Sequence, residues 1–280
     1  MKKPKKNLPK GKPLIPNAGI ARWYARTLKA YVKAMTKLIK PRIIEAMKQK
    51  SLSTSFAMDE DVDDIITFLN NAQNSSEEIF SNLAIEIAPQ FMERAEKQAE
   101  TNIAKSISSV YSEFAITGTP ITEALQNTIA ASIAENVDLI KSIPSEYFKQ
   151  IIGMVMRTIT GEGTFHDLPK AIFKDVMKEL NKIDRKAERR AELIAQDQTR
   201  KAFASINLRK MEAAGIKKFI WLHVGGGKTY RPWHRDVLNG QICDIDNPPV
   251  IDPRTGQKGF PAELPYCRCV MQPIITEEEE

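Results

Sequence analysis

The chain has 280 residues, of which 42% are hydrophobic and 27% are charged, and its formal net charge is +6. This composition is typical of a globular protein with a core, and the length suits one large or two ordinary domains. It excludes a membrane-spanning helix, because no run approaches the roughly 18 apolar residues that a span needs. Three cysteines without framework spacing indicate a reducing compartment, and no apolar segment follows the lysine-rich N-terminus as a secretory signal requires.

Positive charge is concentrated at the N-terminus. Residues 1–44 contain 13 Lys and Arg residues and no acidic residue, whereas the rest of the chain holds 28 Lys and Arg against 35 Asp and Glu. Such a basic segment suits a polyanion or an acidic protein surface, and the alternative is a solvated tail that only aids solubility. The predicted polyanion-binding residues are Lys2, Lys3, Lys5, Lys6, Lys10 and Lys12.

The first predicted element is an arm, and a helical body follows it. Residues 1–17 are rich in Lys and Pro and have little apolar surface to bury, which predicts a flexible basic arm. Helical periodicity begins near Ala18, and Pro41 is predicted to kink or break this first helix. Residues 18–183 as a whole are interpreted as an α-helical body.

Local signals divide this body into several predicted helices. Ser75, followed three residues later by Glu78, has the pattern of a capping box and predicts a new helix after a short acidic one. Thr119 before Pro120 predicts a further helix start, because proline is favoured at the first helical position. Pro144 is predicted to begin another helix for the same reason.

The helical pattern gives way to strands in a C-terminal module, residues 184–275. A long helix is predicted to end at Gly215, and the β-branched and aromatic residues of Ile216–Val224 predict a strand. His234–Leu238 is predicted as one helical turn, closed by Gly240. Further strands are predicted over residues 229–231, 241–245 and 269–274, and an acidic tail over residues 276–280. The predicted fold class is therefore α+β and predominantly α-helical, with an extended helical N-terminal body and a small C-terminal α+β module.

The module contains four side chains of the types that zinc binds. They are His234, Cys243, Cys267 and Cys269, although a C-x-C pair is tighter than the C-x-x-C of zinc ribbons. The alternative is that Cys243 belongs to the core and that His234 is a hydrogen-bonded anchor. Apart from this candidate zinc, no cofactor is predicted.

The same residues permit a catalytic interpretation. Cys267 with His234 as base, and Asp236 or Asp244 as orienting acid, would resemble a nucleophile triad. No phosphate loop, carboxylate pair or recognised nucleophile signature accompanies them. We therefore predict no catalytic residues and no enzymatic activity.

A series of uncommon residues follows one another at distinctive spacing in the last third of the chain. The series comprises Arg190–Thr199, Gly215, Ile216, Trp221, Arg231–His234, Gly240, Pro248, Pro249, Gly259–Pro261 and Cys267–Cys269. In order and spacing it resembles the phage Mu F-like minor head protein family and the related head morphogenesis proteins of tailed phages. The resemblance covers roughly residues 185–275.

The resemblance implies a low-copy structural protein that links the portal to the procapsid of a tailed phage or prophage. It implies a location in the virion, with the host cytoplasm as the site of assembly. The implied partners are the portal protein and capsid or scaffold proteins, with packaged double-stranded DNA as a further contact. In this interpretation the fold of the module is held by Arg231, Pro232, His234, Gly240, Cys267 and Cys269. Two alternatives stay open, a DNA-binding accessory protein and a toxin-like enzymatic module.

Overall fold

The computed structural model describes residues 8–52, 59–111, 119–160, 169–225 and 231–276. The four long helices are α1 (Ala18–Leu52), α2 (Asp59–Ser108), α3 (Glu123–Thr160) and α4 (Pro169–Ala213). They are followed by β1 (Lys218–Leu222), a π-helix (Trp233–Leu238), β2 (Ile242–Asp244), β3 (Val250–Asp252), β4 (Gln257–Lys258) and β5 (Val270–Ile274). The prediction of a predominantly helical α+β fold with a small C-terminal sheet is confirmed.

The helices continue through two prolines, so a break at Pro41 and a helix start at Pro144 are both wrong. Pro41 lies inside α1 and Pro144 inside α3. A proline inside a helix removes one backbone hydrogen bond and costs about 3 kcal/mol. The apolar stripes around both prolines stay buried, with Ile39 and Ile43 flanking the first and Phe148 following the second. Burial of these stripes offsets the lost hydrogen bond, so the helices continue.

Two predicted helix starts are also misplaced. Ser75 and Glu78 lie inside α2, because residues 70–74 contain no glycine or proline to end the preceding turns. Helix α3 begins later than predicted, and its cap is Thr122, whose Oγ1 accepts a hydrogen bond from the Leu125 N–H at 3.2 Å.

The end of α4 agrees with the sequence. Gly215 has a φ of +70°, and the Ile216 N–H donates back to the Met211 carbonyl at 2.9 Å. This left-handed cap confirms the predicted helix end. Helix α4 itself is continuous from Pro169, so the predicted boundary between residues 183 and 184 lies inside a helix.

The described contacts group the chain into two compact units. The helical unit comprises Trp23–Ala88 and Glu135–Ala195. The mixed unit comprises Met1–Arg22, Pro89–Ala134 and Gln196–Glu280. The division falls within all four long helices, so each unit is assembled from segments that are distant in sequence.

The helical unit has an apolar core supported by polar contacts. Tyr24 is buried on α1 and donates a hydrogen bond to Asn136 Oδ1 at 2.9 Å. Basic residues of α1 pair with acidic residues of α4, and the Lys40 ammonium lies 2.9 Å from an Asp184 oxygen. The buried stripe of α1 consists of Tyr24, Leu28, Val32, Met35, Ile39 and Ile43. Its spacing of three and four residues is the helical period that the sequence predicted.

The mixed unit contains a three-stranded antiparallel sheet in the order β2-β1-β5. Strand β1 is central, and Phe219, Ile220 and Trp221 are all buried. The strands predicted over residues 216–224, 241–245 and 269–274 are thereby confirmed. The strand predicted over residues 229–231 falls mostly outside the described residues. A second, two-stranded sheet of β3 and β4 was not predicted.

Residues 8–17 form an ordered segment along the open edge of β5. The Gly11 N–H donates to the Pro273 carbonyl at 3.0 Å, and the Leu14 N–H donates to the Met271 carbonyl at 2.9 Å. The prediction of a flexible arm is therefore wrong for this part of residues 1–17. Composition did not reveal the contact because the segment is held mainly through its backbone, which any sequence can offer to a sheet edge.

The predicted polyanion-binding lysines are divided by this finding. Lys10 and Lys12 are exposed on the ordered segment, while the other four lie outside the described residues. None of the helices described here is long and apolar enough to cross a membrane.

Candidate functional site

The π-helix is fixed by side chains that reach the backbone of β3. Pro232, with φ −53° and ψ −42°, leads directly into it. The Trp233 indole N–H donates to the Val250 carbonyl at 2.7 Å, and His234 Nε2 lies 2.9 Å from the Ile251 carbonyl oxygen. Two successive side chains of the Arg-Pro-Trp-His stretch thus hold two successive residues of β3.

The C-terminal end of the π-helix is tied to the end of β1. Gly240 has a φ of +84°, which favours glycine, and its N–H donates to the Trp221 carbonyl at 2.8 Å. Asn239 Oδ1 accepts a hydrogen bond from the backbone N–H of His223 at 2.9 Å. These two bonds place the His223 backbone beside the π-helix.

The loop before the C-x-C pair is anchored from two sides. The Arg231 guanidinium donates to the Pro265 carbonyl at 3.0 Å, and Asp197 Oδ1 accepts from the Tyr266 N–H at 2.5 Å. Tyr266 has a φ of +59°, a left-handed conformation that a residue other than glycine keeps only when its surroundings hold it. The Asp197 contact supplies that support and positions Cys267. Asp197 was not among the predicted site residues, although it lies within the stretch Arg190–Thr199.

Three of the predicted ligands meet in one buried cluster. His234 Nδ1 lies 3.5 Å from Cys267 Sγ and 3.6 Å from Cys269 Sγ, and the three ligand atoms lie within 4.8 Å of one another. All three side chains are buried. Cys267 and Cys269 are two residues apart in the short segment that leads into β5. We call His234, Cys267 and Cys269 the His/Cys cluster.

Cys243 does not belong to the cluster, which corrects the predicted ligand set. It lies in β2, and its thiol donates to the Gln241 carbonyl at 3.8 Å. Burial raises the pKa of Cys243 to about 12. Cys243 is therefore a neutral core thiol, as the alternative interpretation held.

His223 is a further candidate ligand, which the predicted set did not include. Its Nδ1 atom lies 3.6 Å from Cys269 Sγ, although His223 is outside the set of mutually close ligand atoms. Its side chain is half-buried. Its position directly after β1, near the end of the predicted strand, was the sequence signal that could have identified it as a candidate ligand.

The two cluster thiols differ in acidity because they interact. A hydrogen bond from Cys269 is the main cause that lowers the pKa of Cys267, and His234 lowers it further against the opposing effect of burial. The neighbouring Cys267 raises the pKa of Cys269.

The proposed nucleophile triad is not assembled among the described residues. Cys267 and His234 are adjacent, but the second ring nitrogen of His234 meets the Ile251 carbonyl instead of a carboxylate. Asp236 is exposed and binds the Arg235 guanidinium at 2.6 Å. Asp244 accepts a hydrogen bond from a backbone N–H within its own turn. Neither acid orients His234.

Comparison with known proteins finds a relative that is similar over the whole of this chain. No family model matches the chain, and no solved structure matches it. A Haemophilus influenzae protein described as uncharacterized is 26% identical over 293 residues. The similarity covers all of this chain and 59% of that protein, so the chain spans less than two thirds of the relative's length. The similarity thus extends over the four long helices as well as the C-terminal module.

Proposed function

We propose that the chain is a minor capsid protein of a tailed phage or prophage that acts in head morphogenesis. In this role it is a low-copy structural component that links the portal to the procapsid and contacts capsid or scaffold proteins. The observation that carries the proposal is the structural role of the residues that resemble the Mu F-like pattern. Arg231, Trp233 and His234 all bind backbone carbonyls of neighbouring segments. These residues maintain a fold, which suits an assembly component.

The ion pairs of α1 favour a protein partner over DNA as the main partner of this helix. On α1, Lys29 and Lys33 lie near Glu188, and Lys40 lies near Asp184. These pairs engage Lys29, Lys33 and Lys40 with acidic residues of the same chain. The lysines of residues 1–12 remain the proposed polyanion-binding residues.

The test is recovery of the protein in assembled heads. Co-expression with the portal and shell proteins from the same genome should yield procapsids that contain this chain in far fewer copies than the shell protein. Particles formed without it should have normal shells but reduced infectivity, because a minor head protein makes particles competent and does not polymerise the shell. Absence of the wild-type chain from purified procapsids, or normal infectivity without it, would contradict the proposal.

Two variants sharpen this test. His234→Ala removes a buried tie of the motif, whereas Cys243→Ser alters a buried cysteine outside the His/Cys cluster. We expect the first to lower incorporation into procapsids and the second to incorporate like wild type. Equal incorporation of both variants would show that the motif's fold is unrelated to assembly.

The DNA-binding alternative makes a different prediction. Duplex binding by the isolated protein should weaken steeply as salt rises, because released counterions drive such binding. Lys10→Glu with Lys12→Glu should reduce affinity, while Lys97→Glu on an exposed part of α2 should not. Binding that is unaffected by salt and by the first pair of changes would remove this alternative.

A further inference from the structure

The His/Cys cluster has the distances of a tetrahedral metal site. Zinc binds sulfur at about 2.3 Å and nitrogen at about 2.0–2.1 Å, so nitrogen and sulfur ligands of one tetrahedral zinc are about 3.5 Å apart. The distances from His234 Nδ1 to the sulfurs of Cys267 and Cys269 are 3.5 and 3.6 Å. The distance from His223 Nδ1 to Cys269 Sγ is also 3.6 Å. Three separate nitrogen–sulfur distances therefore fit edges of the same kind of tetrahedron.

The orientation of His234 is that of a metal ligand. The Ile251 carbonyl can only accept a hydrogen bond, so His234 Nε2 carries the proton at their 2.9 Å contact. Nδ1 then presents its lone pair to both sulfurs. A metal-bound histidine usually donates its other ring N–H to a backbone carbonyl, a carboxylate or water, which fixes the orientation of the ring.

Hydrogen bonding within the cluster leaves a neighbouring polar group unsatisfied. The Trp221 indole N–H is buried without a hydrogen-bond partner in the part of the chain that the structure describes, and its ring lies edge-on to the His234 ring with 5.2 Å between the centroids. A cation between the sulfurs would keep both as thiolates and give this N–H a charged acceptor.

The half-buried His223 supplies the fourth position. Structural zinc sites are almost always four-coordinate, and Cys₂His₂ is one of their common ligand sets. Hydrogen bonding to Asn239 holds the His223 backbone beside the π-helix, while its ring already contacts Cys269. A rotation of this ring toward His234 would complete the set. We propose that His223, His234, Cys267 and Cys269 form a structural zinc site that joins the end of β1, the π-helix and the segment before β5.

The first experiment uses the wild-type full chain. Protein purified without a metal-affinity tag should contain about one zinc per chain by elemental analysis, and metal-free protein should take up one Co²⁺ with thiolate-to-cobalt charge-transfer absorption. A wild-type chain that binds neither ion in competition with a weak chelator overturns the proposal, whatever the variants do.

The second experiment assigns the ligands with a control built into the chain. Cys267→Ser and Cys269→Ser should each abolish stoichiometric zinc, whereas Cys243→Ser should keep it. His223→Ala should bind zinc more weakly by more than about tenfold, since even the loss of a residue that only hydrogen-bonds to a ligand costs about 10- to 100-fold in metal affinity. Full retention of affinity by His223→Ala overturns the four-ligand assignment, and a loss in Cys243→Ser equal to that in Cys267→Ser overturns the cluster. Circular dichroism identifies any variant that fails to fold, and the wild-type titration then decides.

Discussion

The helical unit and the sheet region, which we define as residues 216–276, are stabilised in different ways. The helical unit buries long apolar stripes, so its stability comes from many apolar contacts. The sheet region has strands of two to five residues, and its loops are held by ties such as those of Arg231, Trp233 and His234. A region of the first kind depends on total buried area, whereas the second depends on a few specific side chains. The difference implies that single substitutions act on the two regions by different mechanisms.

The largest expected effect is the loss of a core aromatic from the helical unit. Phe148 is fully buried on α3, so Phe148→Ala should lower the free energy of unfolding by about 4 kcal/mol through lost burial and the cavity it leaves. Urea denaturation measures the change. Leu38→Ala, at a side chain that is 71% exposed, is the matched control and should change stability little. A similar small effect at both positions would refute the distinction based on buried area.

The next effect tests a polar tie in the mixed unit, outside the sheet region. Lys210 is only 2% exposed, and its ammonium binds the Glu100 carboxylate and lies 3.3 Å from Thr119 Oγ1. Lys210→Met should destabilise the protein by about 3 kcal/mol, at the lower end for a broken buried pair because Glu100 keeps access to water. Thermal or urea unfolding checks this, with Lys97→Met on the exposed face of α2 as control. A stabilising Lys210→Met would mean that apolar packing outweighs the tie.

A smaller effect concerns the ordered segment on β5. A side chain at Gly11 would lie 2.1 Å from Ser106 Oγ and 3.1 Å from the Ser106 carbonyl oxygen. Gly11→Ala should therefore destabilise the protein by about 2 kcal/mol through overpacking. Gly153→Ala, inside α3, has space and should be neutral or stabilising because alanine favours helix. A neutral Gly11→Ala would show that residues 8–17 do not pack as described.

The smallest effect is a pH dependence from the same polar tie. Burial raises the pKa of Glu100, but hydrogen bonds from Lys210 and Thr119 outweigh it and leave the pKa below its ordinary value of 4.5. A carboxyl whose pKa is lower in the folded state stabilises the protein above its unfolded pKa, and this contribution is lost as pH falls through the folded value. Urea unfolding between roughly pH 5 and pH 3 should thus show a fall in stability that is shallower in Glu100→Gln. An equal fall in both proteins would assign the pH dependence to other carboxyls.

Periodicity explains why the helices were predictable while their interruptions were not. The stripe from Tyr24 to Ile43 repeats at the helical period, and Gly215 marks the end of α4. Pro41 and Pro144 were misread because local propensity gives the cost of a proline, while the burial that offsets it depends on tertiary contacts. Thr122 was missed as a cap for a related reason, since Thr119 was free to cap locally but binds Glu100 instead.

The sequence predicted which types of residue form the candidate site, but it predicted only some of the individual residues. The crowding of His, Cys, Pro and Gly located it, and three of the four predicted ligands meet in the structure. The predicted ligand set included Cys243, which lies outside the cluster, and did not include His223, which lies beside Cys269. Both errors arise because the pairing of strands across the sheet sets the positions of these side chains, and a single sequence does not reveal that pairing. Asp197 was missed because its contact with Tyr266 spans 69 positions along the chain.

The central claim is that the sheet region depends on the His/Cys cluster while the helical unit does not. Hydrogen exchange measured by mass spectrometry on wild type and His234→Ala tests it most directly, because it reports each region in one experiment. The account predicts that peptides from residues 218–222 and 233–275 lose protection in the variant, while peptides from residues 24–43, 140–155 and 176–195 keep it. Retained protection in the sheet region, or an equal loss in both regions, would contradict the account.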